Sequence, residues 1–189
     1  MIIVGKILNK LIALLILVFI WPILIIIALI IIIDDGMPFL YAQNRIGVNN
    51  STFIFYKFRT MKNNVPQVAT HLLSNPSEFK TRTGNFLRKY SLDELPQLFN
   101  VIKGDMVFIG PRPALYNQQD LINKRRKIGI DRLIPGITGW AQVNGRDNIT
   151  INEKVEFEKY YLFQNSIFLK IKIIYMTLRQ ILFSKNISH

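Results

Sequence analysis

A mixed α/β-type fold, mainly helical, behind an N-terminal membrane segment is the class that this sequence predicts. Three observations lead there. Leu11 to Ile33 is an apolar run of 23 residues without a charge or a hydrogen-bonding side chain, the indole of Trp21 excepted. Behind it, β-branched and aromatic residues cluster in two short stretches, and apolar residues recur at helical spacing in five longer ones. No internal repeat, low-complexity tract or long linker interrupts the remainder. The chain therefore divides into a membrane segment, residues 1–36, and a single domain, residues 37–189.

As a straight helix the run is about 34 Å long, enough to cross a hydrocarbon core. It is apolar all round, unlike the amphipathic helix of a soluble core. It is too long for a signal peptide, and Asp34-Asp35-Gly36-Met37 is no small-residue cleavage site. Pro22 lies at its midpoint, where a proline removes one helical hydrogen bond and kinks the axis. Two arms of about 16 Å each would dip into one leaflet and return; one straight helix would span. Lys6 and Lys10 precede the run, and the residues after 33 carry 22 basic and 12 acidic side chains. Both flanks are positive, which favours the cytoplasm for the domain. The residues alone leave re-entrant and spanning helices equally open.

Strands are expected at Phe39–Gln43 and Thr52–Phe58. Helices are expected at Ser77–Lys89, Asp93–Ile102, Leu115–Lys127, Asn152–Phe163 and Ile167–Phe183. The last alternates aliphatic and aromatic residues with Lys170, Lys172 and Arg179. It fits an interfacial amphipathic helix and burial against the core equally well.

Composition removes several kinds of chemistry. The 189 residues include no cysteine, which excludes disulfides, thiolate zinc sites, iron–sulfur clusters and a cysteine nucleophile. His71 and His189 are the only histidines, so a multi-histidine metal site is impossible. Net charge is +12 together with a positive mean hydropathy of +0.23. Nucleic acid is not the partner this implies. The longest basic run is Lys124-Arg125-Arg126-Lys127, no nucleic-acid-binding signature accompanies it, and beside a membrane segment it reads as attraction to anionic headgroups. Neither a P-loop nor a dinucleotide fingerprint is present.

Candidate chemistry lies between residues 57 and 146. Asp93-Glu94 stands in Ser91-Leu92-Asp93-Glu94-Leu95-Pro96-Gln97. Ser91 and Glu94 match a capping box, and a start with Asp93 as N-cap is the alternative; either puts a carboxylate at a helix N-terminus. Around the acids are groups suited to phosphate: Lys57 and Arg59, Arg88, Arg112 between two prolines, and Arg146. Pro135-Gly136-Ile137-Thr138-Gly139 is a tight loop that can turn backbone N–H groups toward an anion.

In order, Tyr-Lys-Phe-Arg-Thr-Met (56–61), Ser-Leu-Asp-Glu-Leu-Pro-Gln-Leu-Phe-Asn-Val-Ile-Lys-Gly-Asp-Met (91–106), Gly-Pro-Arg-Pro (110–113) and Pro-Gly-Ile-Thr-Gly-Trp-Ala-Gln-Val-Asn-Gly-Arg (135–146) closely resemble the bacterial sugar transferases, the monotopic phosphoglycosyl transferases. The resemblance runs from the membrane segment to about residue 180. It implies transfer of a sugar-1-phosphate from a UDP-sugar to polyprenyl (undecaprenyl) phosphate, with UMP released. It further implies that Asp93 is the nucleophile and a ligand of Mg²⁺, and that Glu94 is its catalytic neighbour. Arg88, Arg112 and Arg146 fall on phosphate-binding positions; Lys57, Arg59, Gln142 and Asn144 stand as further substrate-binding candidates. The resemblance also implies a re-entrant helix broken at a Ser-Pro pair, with both ends on the cytoplasmic face of the inner membrane. Two residues depart from the pattern: Trp21 precedes the proline where serine is usual, and Asn9 replaces an aspartate. Two other classes compete with the enzyme: a tethered binding protein and a basic peripheral membrane protein.

Overall fold

In the computed structural model, which describes residues 2–62, 79–145, 149–164 and 166–183, the apolar run is one helix. This helix, α1 (Ile2–Asp35), continues through Pro22. Its inner face recurs every three or four residues, as a helical stripe must. Ala13, flanked by Ile16 and Ile20, packs on Phe55, Leu98, Val101 and Met106. Ile27 and Ile31, flanked by Leu24 and Ala28, pack on Phe58 and Leu87. The division between the two clusters falls at Pro22. Outside the stripe, Leu11, Leu15, Phe19, Trp21, Ile26, Ile30 and Ile33 are exposed.

Polar bonds tie both ends of α1 to the same domain. The Phe108 N–H donates to Asn9 Oδ1 (2.9 Å), an amide oxygen accepting as a carboxylate would, and Lys10 donates to the Lys103 carbonyl. At the other end the Thr83 N–H and hydroxyl both donate to Asp34 Oδ2 (3.0 and 2.8 Å). Arg59 pairs with Asp35 Oδ2 (2.9 Å) and donates to the carbonyls of Asp35 and Gly36.

Strands β1 (Leu40–Ile46) and β2 (Thr52–Phe58) form an antiparallel hairpin, with Leu40 opposite Phe58 and Ile46 opposite Thr52. β1 runs three residues beyond the expected Gln43; β2 has the expected bounds. Helix α2 (Arg82–Lys89) starts later than Ser77, because the Thr81 hydroxyl accepts from the Gly84 N–H and caps it there; residues 77 and 78 lie outside the described ones. A Cβ on Gly84 would stand 2.1 Å from the Thr60 carbonyl oxygen, so only glycine lets α2 cross that backbone.

The helix expected over Asp93–Ile102 is in fact a 3₁₀ turn, Leu92–Glu94, followed by α3 (Gln97–Lys103). Pro96 separates them, since its ring and missing N–H resist continuation. The capping box does not form: Ser91 has φ of 55° and its side chain makes no capping bond. Buried Asn100 fastens α3 to β2, accepting from the Tyr56 N–H and donating to the Ile54 carbonyl.

Short strands β3 (Val107–Ile109) and β4 (Gly136–Thr138) pair in parallel, and α4 (Gln119–Ile128) lies between them in the chain. Three helices follow: α5 (Trp140–Asn144), α6 (Ile151–Phe163), which a Thr150–Glu153 capping box starts, and α7 (Ile167–Phe183), with the expected bounds. Leu169 and Ile173 of α7 are buried against Val143 and Tyr161, whereas Phe168, Tyr175, Leu178 and Leu182 are exposed. Burial against the core thus holds for one face of this helix, and the other face is exposed and apolar.

Candidate active site

Lys57, the penultimate residue of β2, extends toward the 3₁₀ turn, because Asn100 holds α3, and with it the preceding turn, against that strand. Its ammonium lies 3.2 Å from Asp93 Oδ2 and 2.9 Å from Glu94 Oε1. Arg112 reaches the same Glu94 oxygen at 2.8 Å. Asp93 is buried, with 4% of its surface exposed. Burial alone would push the Glu94 carboxyl up. The Arg112 guanidinium, the Lys57 ammonium and the hydrogen bonds from both outweigh it and hold the group well below the usual carboxylate range.

These groups line a cavity of about 380 Å³. Lys57, Arg88, Asp93, Glu94, Arg112 and Lys154 are its charged residues. Leu95, Leu98, Phe108, Ile137, Ile181 and, from α1, Ile16 are its apolar ones. Ser91, Gln142, Thr138, Thr177 and Gln180 complete the lining. Arg88 is steered by a bond from its Nε to the Thr60 hydroxyl (2.9 Å). The Thr138 and Thr177 hydroxyls stand 2.7 Å apart, joining β4 to α7.

The cavity therefore gathers Asp93, Glu94, Lys57, Arg88, Arg112 and Gln142, but not every candidate. Arg59 is absent from the lining; its side chain is 5% exposed and bonded to the C-terminal end of α1, where it anchors the helix. Asn144 is exposed and donates to the Trp140 carbonyl, closing its own helix. Arg146 lies outside the described residues. Lys154, Thr177 and Gln180 line the cavity without any local signal in the sequence: each is one polar residue among several on its helix, brought in by packing of α6 and α7. The basic run 124–127 also divides, for Arg125 is buried against Glu158 while Arg126 and Lys127 stay exposed.

A family model described as bacterial sugar transferase matches residues 2–184. The chain belongs to that family. It is 41% identical to EpsL, an uncharacterized sugar transferase of Bacillus subtilis, over 80% of this chain and 74% of that one. It is 38% identical to an undecaprenyl-phosphate glucose phosphotransferase of Komagataeibacter xylinus, over 87% of this chain and 33% of that one. A UDP-N-acetylgalactosamine-undecaprenyl-phosphate N-acetylgalactosaminephosphotransferase of Aeromonas hydrophila is 37% identical over 85% of this chain and 39% of its own. Against the two named phosphotransferases, then, the chain spans between a third and two fifths of their length.

Asp93 and Glu94 also suit a hard cation. Mg²⁺ is commonly held by one or two carboxylates together with substrate phosphates. Among the described residues no cluster of three or more acidic or histidine side chains gathers, so an ion on this pair would depend on substrate oxygens for its other ligands.

Proposed function

We propose that this chain transfers a sugar-1-phosphate from a UDP-sugar to undecaprenyl phosphate, releasing UMP, through a phosphosugar-aspartyl intermediate on Asp93. One observation carries the reading: a single cavity joins the Asp93–Glu94–Lys57–Arg112 cluster to Ile16 of the membrane helix. The acceptor is itself a phosphate on an apolar chain, and a cavity lined by both charged and apolar residues suits that amphiphile. The names of the relatives support the same substrate kinds.

In the first half-reaction an Asp93 oxygen attacks the β-phosphorus of the UDP-sugar. The phosphorus–oxygen bond to the α-phosphate breaks, and UMP leaves with the bridging oxygen. In the second, a phosphate oxygen of the acceptor attacks the same phosphorus and returns the Asp93 carboxylate. Splitting the displacement keeps the two anionic substrates from having to meet. Lys57, Arg88, Arg112 and Lys154 offset phosphate charge. Mg²⁺ on Asp93 and substrate phosphate, when bound, would neutralise charge as it develops on the phosphoryl oxygens. Glu94 is a poor base with Arg112 and Lys57 upon it. A phosphate monoester with second pKa about 6 needs little help to lose its proton at pH 7. Its role is to hold the two cations at the phosphoryl site.

The membrane segment is re-entrant in this reading, with both ends on the cytoplasmic face of the inner membrane. What supports it is that Asn9 and Lys10 before the apolar run, and Asp34 and Asp35 after it, bond to one domain. A helix crossing the bilayer would set those ends about 38 Å apart, at 1.5 Å per residue, in opposite aqueous phases.

The decisive experiment is intact-protein mass spectrometry after mixing the purified chain with UDP-sugar and Mg²⁺, without acceptor. A phosphosugar adduct and about one equivalent of UMP per site are expected, and both vanish in Asp93→Asn. UMP that appears only once undecaprenyl phosphate is added would instead mean direct displacement in a ternary complex.

A further inference from the structure

The loop 110–114 carries Arg112 yet belongs to no helix or strand, and its two prolines lack N–H groups. Beyond the Gly110 N–H, which donates to the Thr138 carbonyl (2.8 Å), it is held by its carbonyl oxygens. The Gly136 N–H donates to Pro111 (2.9 Å), Arg125 Nη2 to Arg112 (2.9 Å), Arg45 Nη1 to Pro113 (3.2 Å) and the Ile46 N–H to Ala114 (3.0 Å). Four consecutive carbonyls are thus fixed from β4, α4 and β1.

The bond to Arg112 itself differs from the others. Arg125 is 7% exposed and Glu158, on α6, is 2% exposed. Arg125 Nε donates to Glu158 Oε2 at 2.8 Å, and Nη2 pairs with the other carboxylate oxygen while also serving the Arg112 carbonyl. Burying such a pair costs desolvation that apolar side chains of similar volume avoid. The packing of α4 and α6 has no need of it, since Leu121, Ile122, Val155 and Ala114 already form an apolar cluster there. What the pair adds is a rigid donor aimed at the backbone of one residue in the cavity wall.

We propose that Arg125 and Glu158 are positioning residues for Arg112: they hold its backbone so that the guanidinium meets Glu94 and the phosphoryl group together. The inference rests on the reading of Arg112 as a phosphate-binding residue. A displacement near 1 Å at such a residue is worth on the order of a hundredfold in rate.

The test uses the full chain in detergent, with undecaprenyl phosphate and with UDP-glucose, UDP-galactose and UDP-N-acetylgalactosamine assayed in parallel for UMP release. Replacing the pair by Arg125→Met with Glu158→Leu removes the charges and keeps the volume. The melting temperature is expected to hold or rise, while turnover falls about tenfold to a hundredfold. In an Arg112→Lys background the same replacement should cost little more, because the side chain it serves is already gone. If the apolar pair does not fold, Glu158→Gln carries the same cycle. Wild-type turnover in the folded apolar pair would reduce these residues to packing. An equal loss in both backgrounds would show that they act elsewhere than through Arg112. Full activity of Arg112→Lys by itself would overturn both the reading of Arg112 and this inference, while leaving the transfer reaction standing.

Discussion

Glu94 receives two cations on one oxygen, Lys57 at 2.9 Å and Arg112 at 2.8 Å, while Lys57 also reaches Asp93. In the proposed reaction Glu94 is therefore the counter-charge that assembles the phosphate-binding groups beside Asp93. Glu94→Gln keeps the shape and one acceptor but removes that charge. If positioning is its role, the UMP burst before any acceptor is added should slow about tenfold, the worth of one charge-assisted bond at ~1.5 kcal/mol. Its amplitude should stay near one per site. Rapid-quench measurement of the burst checks this, and an unchanged burst with lost turnover would instead make Glu94 a base for the acceptor step. Among the arginines, position in the sequence was a weaker guide. Arg59 and Arg112 both sit in basic motifs, but Arg59 follows the last residue of β2 and turns to α1, whereas Arg112 sits on a loop that faces the acids.

At the scale of elements, α1 is coupled to α2 through Asp34, and α2 carries Arg88 into the cavity. Hydrogen bonds from the Thr83 N–H and then its hydroxyl hold the Asp34 carboxyl below its ordinary range. A group depressed in the folded state stabilises above its unfolded pKa, and the benefit is lost as pH falls through the folded one. The tie is thus intact at neutral pH and fails in acid, below about pH 4. The melting temperature of the wild type should drop more between about pH 5 and pH 3 than that of Asp34→Asn, whose side chain does not titrate there. The group is exposed, so the difference should be modest; equal pH profiles would show that the tie carries no stability. The elements legible beforehand were those with a strong period or strand-rich composition: β2 and α7 have the expected bounds. The paired strands β3 and β4 were not legible. Each has three residues, too short for an alternation to register, and their parallel pairing joins segments 29 residues apart, Val107 with Gly136.

For the molecule as a whole, the question is on which side of the membrane each end of α1 lies. The native chain has no cysteine, so single cysteines report cleanly. Lys6→Cys before the run and Met37→Cys after it are both at exposed positions. In intact cells neither should react with an impermeant thiol reagent, and both should react once the cells are opened. Labelling of position 6 from outside would establish a spanning helix and break the link between the domain and the residues around Asn9. The outward faces of α1 and α7, both rich in exposed aliphatic and aromatic residues, give the domain two surfaces suited to lipid.

The sequence by itself determined the long apolar N-terminal segment, the basic balance, the family and the Asp93–Glu94 pair. Each of these is local: a run of side chains, a charge count, or a motif of neighbouring residues. Only the tertiary structure decided which cations share a cavity with those acids, because Lys57, Arg88, Arg112 and Lys154 come from four separate segments. It also turned Arg59 to an anchor and Arg125 to a buried partner of Glu158, and it brought Ile16 to the cavity. A side chain's type is written in the chain, but its neighbours depend on contacts between distant segments. Those contacts follow from the burial of apolar faces, such as the stripe of α1 against Phe55, Leu98 and Met106, and no local pattern records them.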